Sequence, residues 1–189
     1  MKNLRISALA VLTALTLASC SDDDNTATIV NEEEVITTIT ATLTPTDGGT
    51  AIVLKSQDLD GDGPNAPVVT VSGNFAAGKE YNGAVTFLNE LDTPADNITA
   101  EVKEEGHEHQ IFFQQSSPLG TFSYADEDIN GRPIGLNFTY KASSTPVTGS
   151  LTLTLRHEPN KAGEGVSGGN ITNAGGGTDA EVVFNVSVQ

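Results

Sequence analysis

The chain holds three histidines, and each stands beside an acid. His107 and His109 flank Glu108 in the run Glu104-Glu105-Gly106-His107-Glu108-His109, and His157 is followed by Glu158. Imidazole next to carboxylate is a donor set for zinc or another first-row divalent metal. In an extended strand alternate residues share a face, so His107 and His109 continue the row of Ile111 and Phe113. By the same parity His157 continues the row of Leu151, Leu153 and Leu155. The first row begins with histidine and the second ends with it, and antiparallel neighbours bring such ends together. The expectation is a metal site built from His107, His109, His157, Glu105 and Glu158 at one end of a β-domain. The alternative is a solvated polar strand end whose acids set the histidine charge.

A second oxygen-rich chemistry lies in two acidic loops. Asp58, Asp60, Asp62 and Gly63 fit the first, third, fifth and sixth positions of a calcium loop, and Asp126, Asp128, Asn130 and Gly131 do so again. The twelfth position is Val69 in one copy and Asn137 in the other, not the bidentate Glu of an EF-hand. Asp, Asn and Gly are also what a tight turn selects without any metal. Zinc or a similar divalent ion is therefore the leading cofactor expectation, and calcium the lesser one.

Nucleophilic catalysis finds little footing. The lone cysteine lies near the N-terminus, and no Gly-x-Ser-x-Gly elbow is present. The glycine-rich stretch from Gly163 to Gly177 lacks the Gly-Lys-Ser/Thr ending of a phosphate loop. No catalytic residue is assigned, and the expectation is a protein that is not an enzyme.

The elements that must position the histidines read as strands. Val35 to Thr44, Ala51 to Lys55, Val68 to Ser72 and Tyr81 to Leu88 are β-branched or alternating runs separated by turn residues. His107 to Gln115, Thr121 to Tyr124, Gly135 to Lys141, Leu151 to Leu155 and Glu181 to Val188 follow in the second half. No stretch sustains a 3.6-residue apolar period, so helix content should be small. Asp58, Asp60, Gly63, Thr86 and Glu90 recur at one fixed offset as Asp126, Asp128, Gly131, Thr154 and Glu158. The expected fold is all-β: one antiparallel β-sandwich of about eight to ten strands, with two pseudo-repeated halves as its finer form.

The N-terminus reads as an export signal. Lys2 and Arg5 precede an apolar run, Ile6 to Leu17, too short to span a bilayer as a mature helix. Leu17-Ala18-Ser19-Cys20 matches a bacterial lipobox, which makes Cys20 the expected lipidation site and a stable membrane anchor. The expected organisation is a signal peptide over 1–19, a lipidated cysteine with a disordered acidic tether over 20–34, and the β-domain over 35–189. The formal charge of the whole chain is −16, and loss of Lys2 and Arg5 makes it more negative still. Such a surface excludes nucleic acid as a partner and suits cations or a basic partner.

Asp22 to Asp24, just after the anchoring cysteine, resemble the acidic surface-export signal of Bacteroidota lipoproteins. Asn31-Glu-Glu-Glu-Val-Ile-Thr-Thr38, Gln57-Asp-Leu-Asp-Gly-Asp-Gly63, His109-Gln110, Leu153-Thr-Leu-Arg-His-Glu-Pro-Asn-Lys161 and Gly168-Gly-Asn-Ile-Thr-Asn-Ala-Gly175 resemble a family of small lipoproteins common in Flavobacteria. Its members often carry the label "type 1 periplasmic binding fold superfamily", a two-lobed α/β architecture that the length and strand patterning here do not match. The resemblance implies an outer-membrane, surface-facing lipoprotein, with inward-facing attachment as the alternative. The functional expectation is a non-enzymatic binding module for a divalent metal or a metal-carrying ligand, able to hand it to an outer-membrane receptor. A structural or adhesion protein is the second reading, and a metal-dependent hydrolase the third.

Overall fold

A computed structural model describes residues 34–61 and 63–189. The signal segment, Cys20, Asp22 to Asp24 and Asp62 lie outside the described residues. Strand β1 (Thr38–Pro45) is followed by β2 (Ile52–Gln57), β3 (Val68–Val71) and β4 (Glu80–Leu88). A seven-residue helix, α1 (Ile98–Glu104), leads to β5 (His109–Gln115), β6 (Gly120–Tyr124) and β7 (Asn137–Ala142). The long strands β8 (Val147–His157) and β9 (Gly177–Val188) close the chain.

These strands form two antiparallel sheets, one ordered β3-β2-β1-β4-β7-β6 and one ordered β5-β8-β9. Alternation decides which side chains meet. Tyr81, Val85 and Phe87 of β4 and Phe138 and Tyr140 of β7 are buried, as are Leu151, Leu153 and Leu155 of β8 and Phe184 and Val186 of β9. They join one apolar cluster drawn from both sheets, the arrangement of a sandwich. Removing one such side chain from water is worth about 1.5–3 kcal/mol. The buried hydroxyl of Tyr140 donates to the Leu119 carbonyl at 2.7 Å, so the core does not strand a polar group.

The halves are not equivalent. The pairing of β1 with β4 has a counterpart in β5 with β8, and that of β2 with β3 in β6 with β7. The pairing of β1 with β2 has none, because β5 and β6 belong to different sheets.

Helix α1 is too short to display a period. Ile98 and Val102 are its buried pair, one turn apart, and Thr99 ties it to β4: its hydroxyl accepts from the Phe87 amide and donates to the Phe87 carbonyl. The glycine-rich stretch after β8 covers the outer face of β5. Val166 and Ala174 are buried there against Phe112, and Gln110 donates to the Val166 carbonyl at 2.8 Å.

Candidate metal centre

Strands β5 and β8 pair with His109 directly opposite His157. Both imidazoles extend the core-facing rows expected from parity, and their rings meet edge to face with centroids 4.6 Å apart. His109 is fully buried and His157 nearly so.

The third member comes from β9. The β8/β9 ladder runs in step from Val147 to Leu155, which faces Ala180, and then jumps so that Arg156 faces Thr178. Asp179 is the residue left without a partner, and this bulge turns it out of the alternation of Val182 and Phe184. Its carboxylate is buried, with Oδ2 at 3.5 Å from His109 Nε2 and also 3.5 Å from His157 Nδ1. The glycines before it make the approach possible. Gly176 adopts φ +70°, and a Cβ there would lie 2.1 Å from the His157 carbonyl oxygen.

A second carboxylate, Glu34, stands beside His109 from the segment leading into β1, grouped with His109 and Glu105. Its side chain is 9 % exposed, and Oε1 lies 3.8 Å from His109 Nε2. Glu105 contributes in two ways. Its carbonyl stands 3.2 Å from His109 Nδ1, and its carboxylate lies within 4.8 Å of the donor atoms of Glu34 and His109. A neutral His109 that donates Nδ1–H to this carbonyl directs the Nε2 lone pair at the carboxylates, the usual outer support of a metal-bound histidine.

The electrostatics call for positive charge. Burial drives the Glu34 carboxyl up to about 7, and the nearby charges of Glu101, Asp179 and Glu105 push the same way, while His109 opposes them. Burial disfavours the His109 cation, yet Asp179, the Glu105 carbonyl and Glu34 together raise its pKa. Among the described residues, His109 Nε2, Asp179 Oδ2 and Glu34 Oε2 are buried with no hydrogen-bond partner. Buried polar atoms are ordinarily paired.

A further cluster sits at the rim. Donor atoms of Glu108, His157 and Glu158 lie within 4.8 Å of one another, and the Glu158 amide donates to the Glu108 carbonyl. Of the residues expected at the site, the fold brings His109, His157, Glu105 and Glu158 into these clusters. It does not place His107 there. The chain turns from Glu105 to Glu108 before β5 begins, which breaks the parity, and His107 is exposed and paired with Glu108 at 3.1 Å. Parity could not find Asp179, which a bulge redirects, or Glu34, which precedes the first strand.

Among the described residues, the carboxylates of the acidic loops accept hydrogen bonds from their own loops or from Lys161. Asp126 accepts the Gly135 and Asn137 amides, each at 2.7 Å. Asp128 Oδ1 accepts the Asn130 and Arg132 amides, and Oδ2 pairs with Lys161 Nζ at 2.9 Å. The Lys161 ammonium is buried and also donates to the Pro133 and Gly106 carbonyls, standing where the calcium reading would set a cation. In the first loop Asp58 accepts the Asp60 amide, and Asp60 accepts the Asn65 amide and side chain. Asp58, Asp60, Asp126, Asp128 and Asn130 are thus turn-forming residues in this fold.

A scan against protein-family models, a search of curated proteins and a search of solved structures return no match.

Proposed function

We propose that this chain is a lipid-anchored, surface-facing binding module that holds a divalent metal ion of the zinc type and carries out no catalysis. The observation that carries the metal reading is Asp179 Oδ2, placed 3.5 Å from both His109 Nε2 and His157 Nδ1. That spacing is long for a hydrogen bond. It is close to the separation of about 3.3 Å between donors that share one tetrahedral zinc ion through bonds of about 2.0–2.1 Å. Imidazole with carboxylate favours zinc and its first-row neighbours over calcium.

The non-catalytic part rests on enclosure. His109, His157, Asp179 and Glu34 are all nearly buried, whereas a catalytic zinc keeps an open position for water or substrate. The anchored, surface-facing part rests on the lipobox ending at Cys20 and the acids that follow it.

Titrating zinc and calcium into the full chain while following its melting temperature tests the proposal. At a hundredfold excess over the dissociation constant, zinc should stabilise by about 2.7 kcal/mol, or roughly 5–10 °C for a domain of this size, with no comparable response to calcium. No response to zinc, cobalt or nickel would overturn the metal reading and leave adhesion as the better account.

A further inference from the structure

Resting on the metal reading above, we infer that Glu34 is a protein ligand in a four-donor site and that the ion clasps the segment leading into β1 onto the end of the three-stranded sheet. The donors would be His109 Nε2, His157 Nδ1 and Asp179 Oδ2, which already lie within 4.8 Å of one another, with Glu34 Oε1, 3.8 Å from His109 Nε2, drawn in by the ion as the fourth. Three of them stand on β5, β8 and β9, so the sheet holds them in place whether or not an ion is bound. Glu34 is different. Among the described residues, the first backbone hydrogen bonds that tie its segment down are those of Thr37, whose amide donates to the Leu88 carbonyl and whose carbonyl accepts from the Asp58 amide. Val35 is exposed, and only Ile36 gives the intervening stretch a partial hold on the core.

The Glu34 side chain is nonetheless 9 % exposed, and among the described residues its Oε2 is buried without a hydrogen-bond partner. Its neighbours include Asp179, Glu101 and Glu105, which repel a carboxylate. An ion among these oxygens reverses the sign of that interaction. It converts the end of this segment into a ligand arm and closes the fourth position to water. Loading would then be coupled to the mobility of Val35 to Thr37, and release of the ion to the withdrawal of Glu34.

The test uses the full chain, with zinc and cobalt as probes. In the wild type, zinc should slow amide exchange at Val35, Ile36 and Thr37, and cobalt should give the intense visible bands of a four-coordinate ion. Glu34→Gln should lower zinc affinity by about tenfold or more, abolish the added exchange protection and change the cobalt spectrum as water replaces the carboxylate. His107→Ala, at an exposed residue outside the site, should leave the spectrum unchanged, and Glu105→Gln should weaken binding less than Glu34→Gln does. Unaltered affinity and spectrum in Glu34→Gln, or wild-type exchange at 35–37 indifferent to zinc, would overturn the clasp while the metal site stands. A Glu105→Gln effect matching the one expected of Glu34→Gln would move the ligand role to Glu105 and overturn it equally. A wild type that binds neither ion would remove the metal reading itself.

Discussion

His109 and His157 are direct cross-strand partners, and a single carboxylate oxygen, Asp179 Oδ2, stands 3.5 Å from a ring nitrogen of each. Ring orientation on the His109 side is set by the Glu105 carbonyl at Nδ1. Removal of either imidazole takes a nitrogen donor, and the groups of the other clusters within reach are carboxylates. His109→Ala and His157→Ala should therefore each abolish the zinc-dependent rise in melting temperature. His107→Ala should leave that rise intact, because His107 is exposed and, among the described residues, paired only with Glu108. A lost zinc response in His107→Ala would place the ion at the strand end first expected from parity.

Asp179→Asn keeps the shape of the side chain and removes its charge. Zinc binding needs the carboxylate both as a ligand and to balance the ion. The variant should show no zinc-dependent stabilisation, and a chelator should bring the wild-type melting temperature down towards that of the variant. The comparison is made by thermal melts with zinc and after chelation. A chelator-insensitive wild type that still melts above the variant would assign Asp179 a purely structural role.

How far this site could be read from the sequence depended on parity. Leu151, Leu153 and Leu155 alternate cleanly, so the inward position of His157 follows from them, and Ile111 does the same for His109. Parity fails where the ladder slips. Asp179 belongs to the outward set by counting back from Val182, and only the bulge at Leu155/Arg156 turns it inward. His107 fails for the opposite reason, since the turn ending at Glu108 takes it out of the strand. Helix α1 has one buried pair and no second turn to repeat it, which leaves no periodic signal. Lys161 stands just ahead of the glycine-rich stretch with no apolar pattern around it, and only the folded loops show that it is enclosed.

Lys161 joins three parts of the chain through Gly106, Asp128 and Pro133. Its side chain is 2 % exposed and that of Asp128 1 %, so solvent screens the pair little. Truncating one partner leaves a buried charge uncompensated, at a cost of about 3–5 kcal/mol. Lys161→Met should lose stability of that order in urea denaturation, and adding Asp128→Asn should recover part of it. Gly106 lies in the turn that leads to His109, so Lys161→Met should also weaken zinc binding. A loss below about 1 kcal/mol would show that the buried pair contributes little net stability.

The same pair has an acid signature. Burial alone would raise the Asp128 pKa, but Lys161 and the Arg132 and Asn130 amides hold it below the ordinary carboxylate value. Between the folded and unfolded values the unfolded chain binds a proton that the folded chain does not. The contribution is therefore complete above the unfolded pKa of about 3.9 and is lost as pH falls through the folded value. Asp128→Asn should be clearly less stable than wild type at pH 7, and the gap should narrow on acidification below pH 4. Urea midpoints measured for both proteins across that range check this, and a gap independent of pH would assign the loss to shape rather than charge.

Gly83 and Phe138 provide the packing test. They face each other across β4 and β7, and a Cβ built on Gly83 would lie 2.2 Å from the tip of the Phe138 ring. The ring therefore lies over the bare glycine backbone, with Phe122 and Phe113 against it at centroid distances of 5.7 and 4.5 Å. Those neighbours leave the ring little room to move aside. Gly83→Ala should cost about 1–3 kcal/mol through overpacking, although alanine is the better residue for an ordinary extended backbone. Phe138→Leu on its own should open a cavity and also destabilise. Combined with Gly83→Ala it should be less harmful than the two single losses added together, because the smaller side chain makes room for the methyl group. Urea denaturation of the four proteins in this cycle measures the coupling, and strictly additive losses would mean that the ring does not depend on the missing side chain at Gly83.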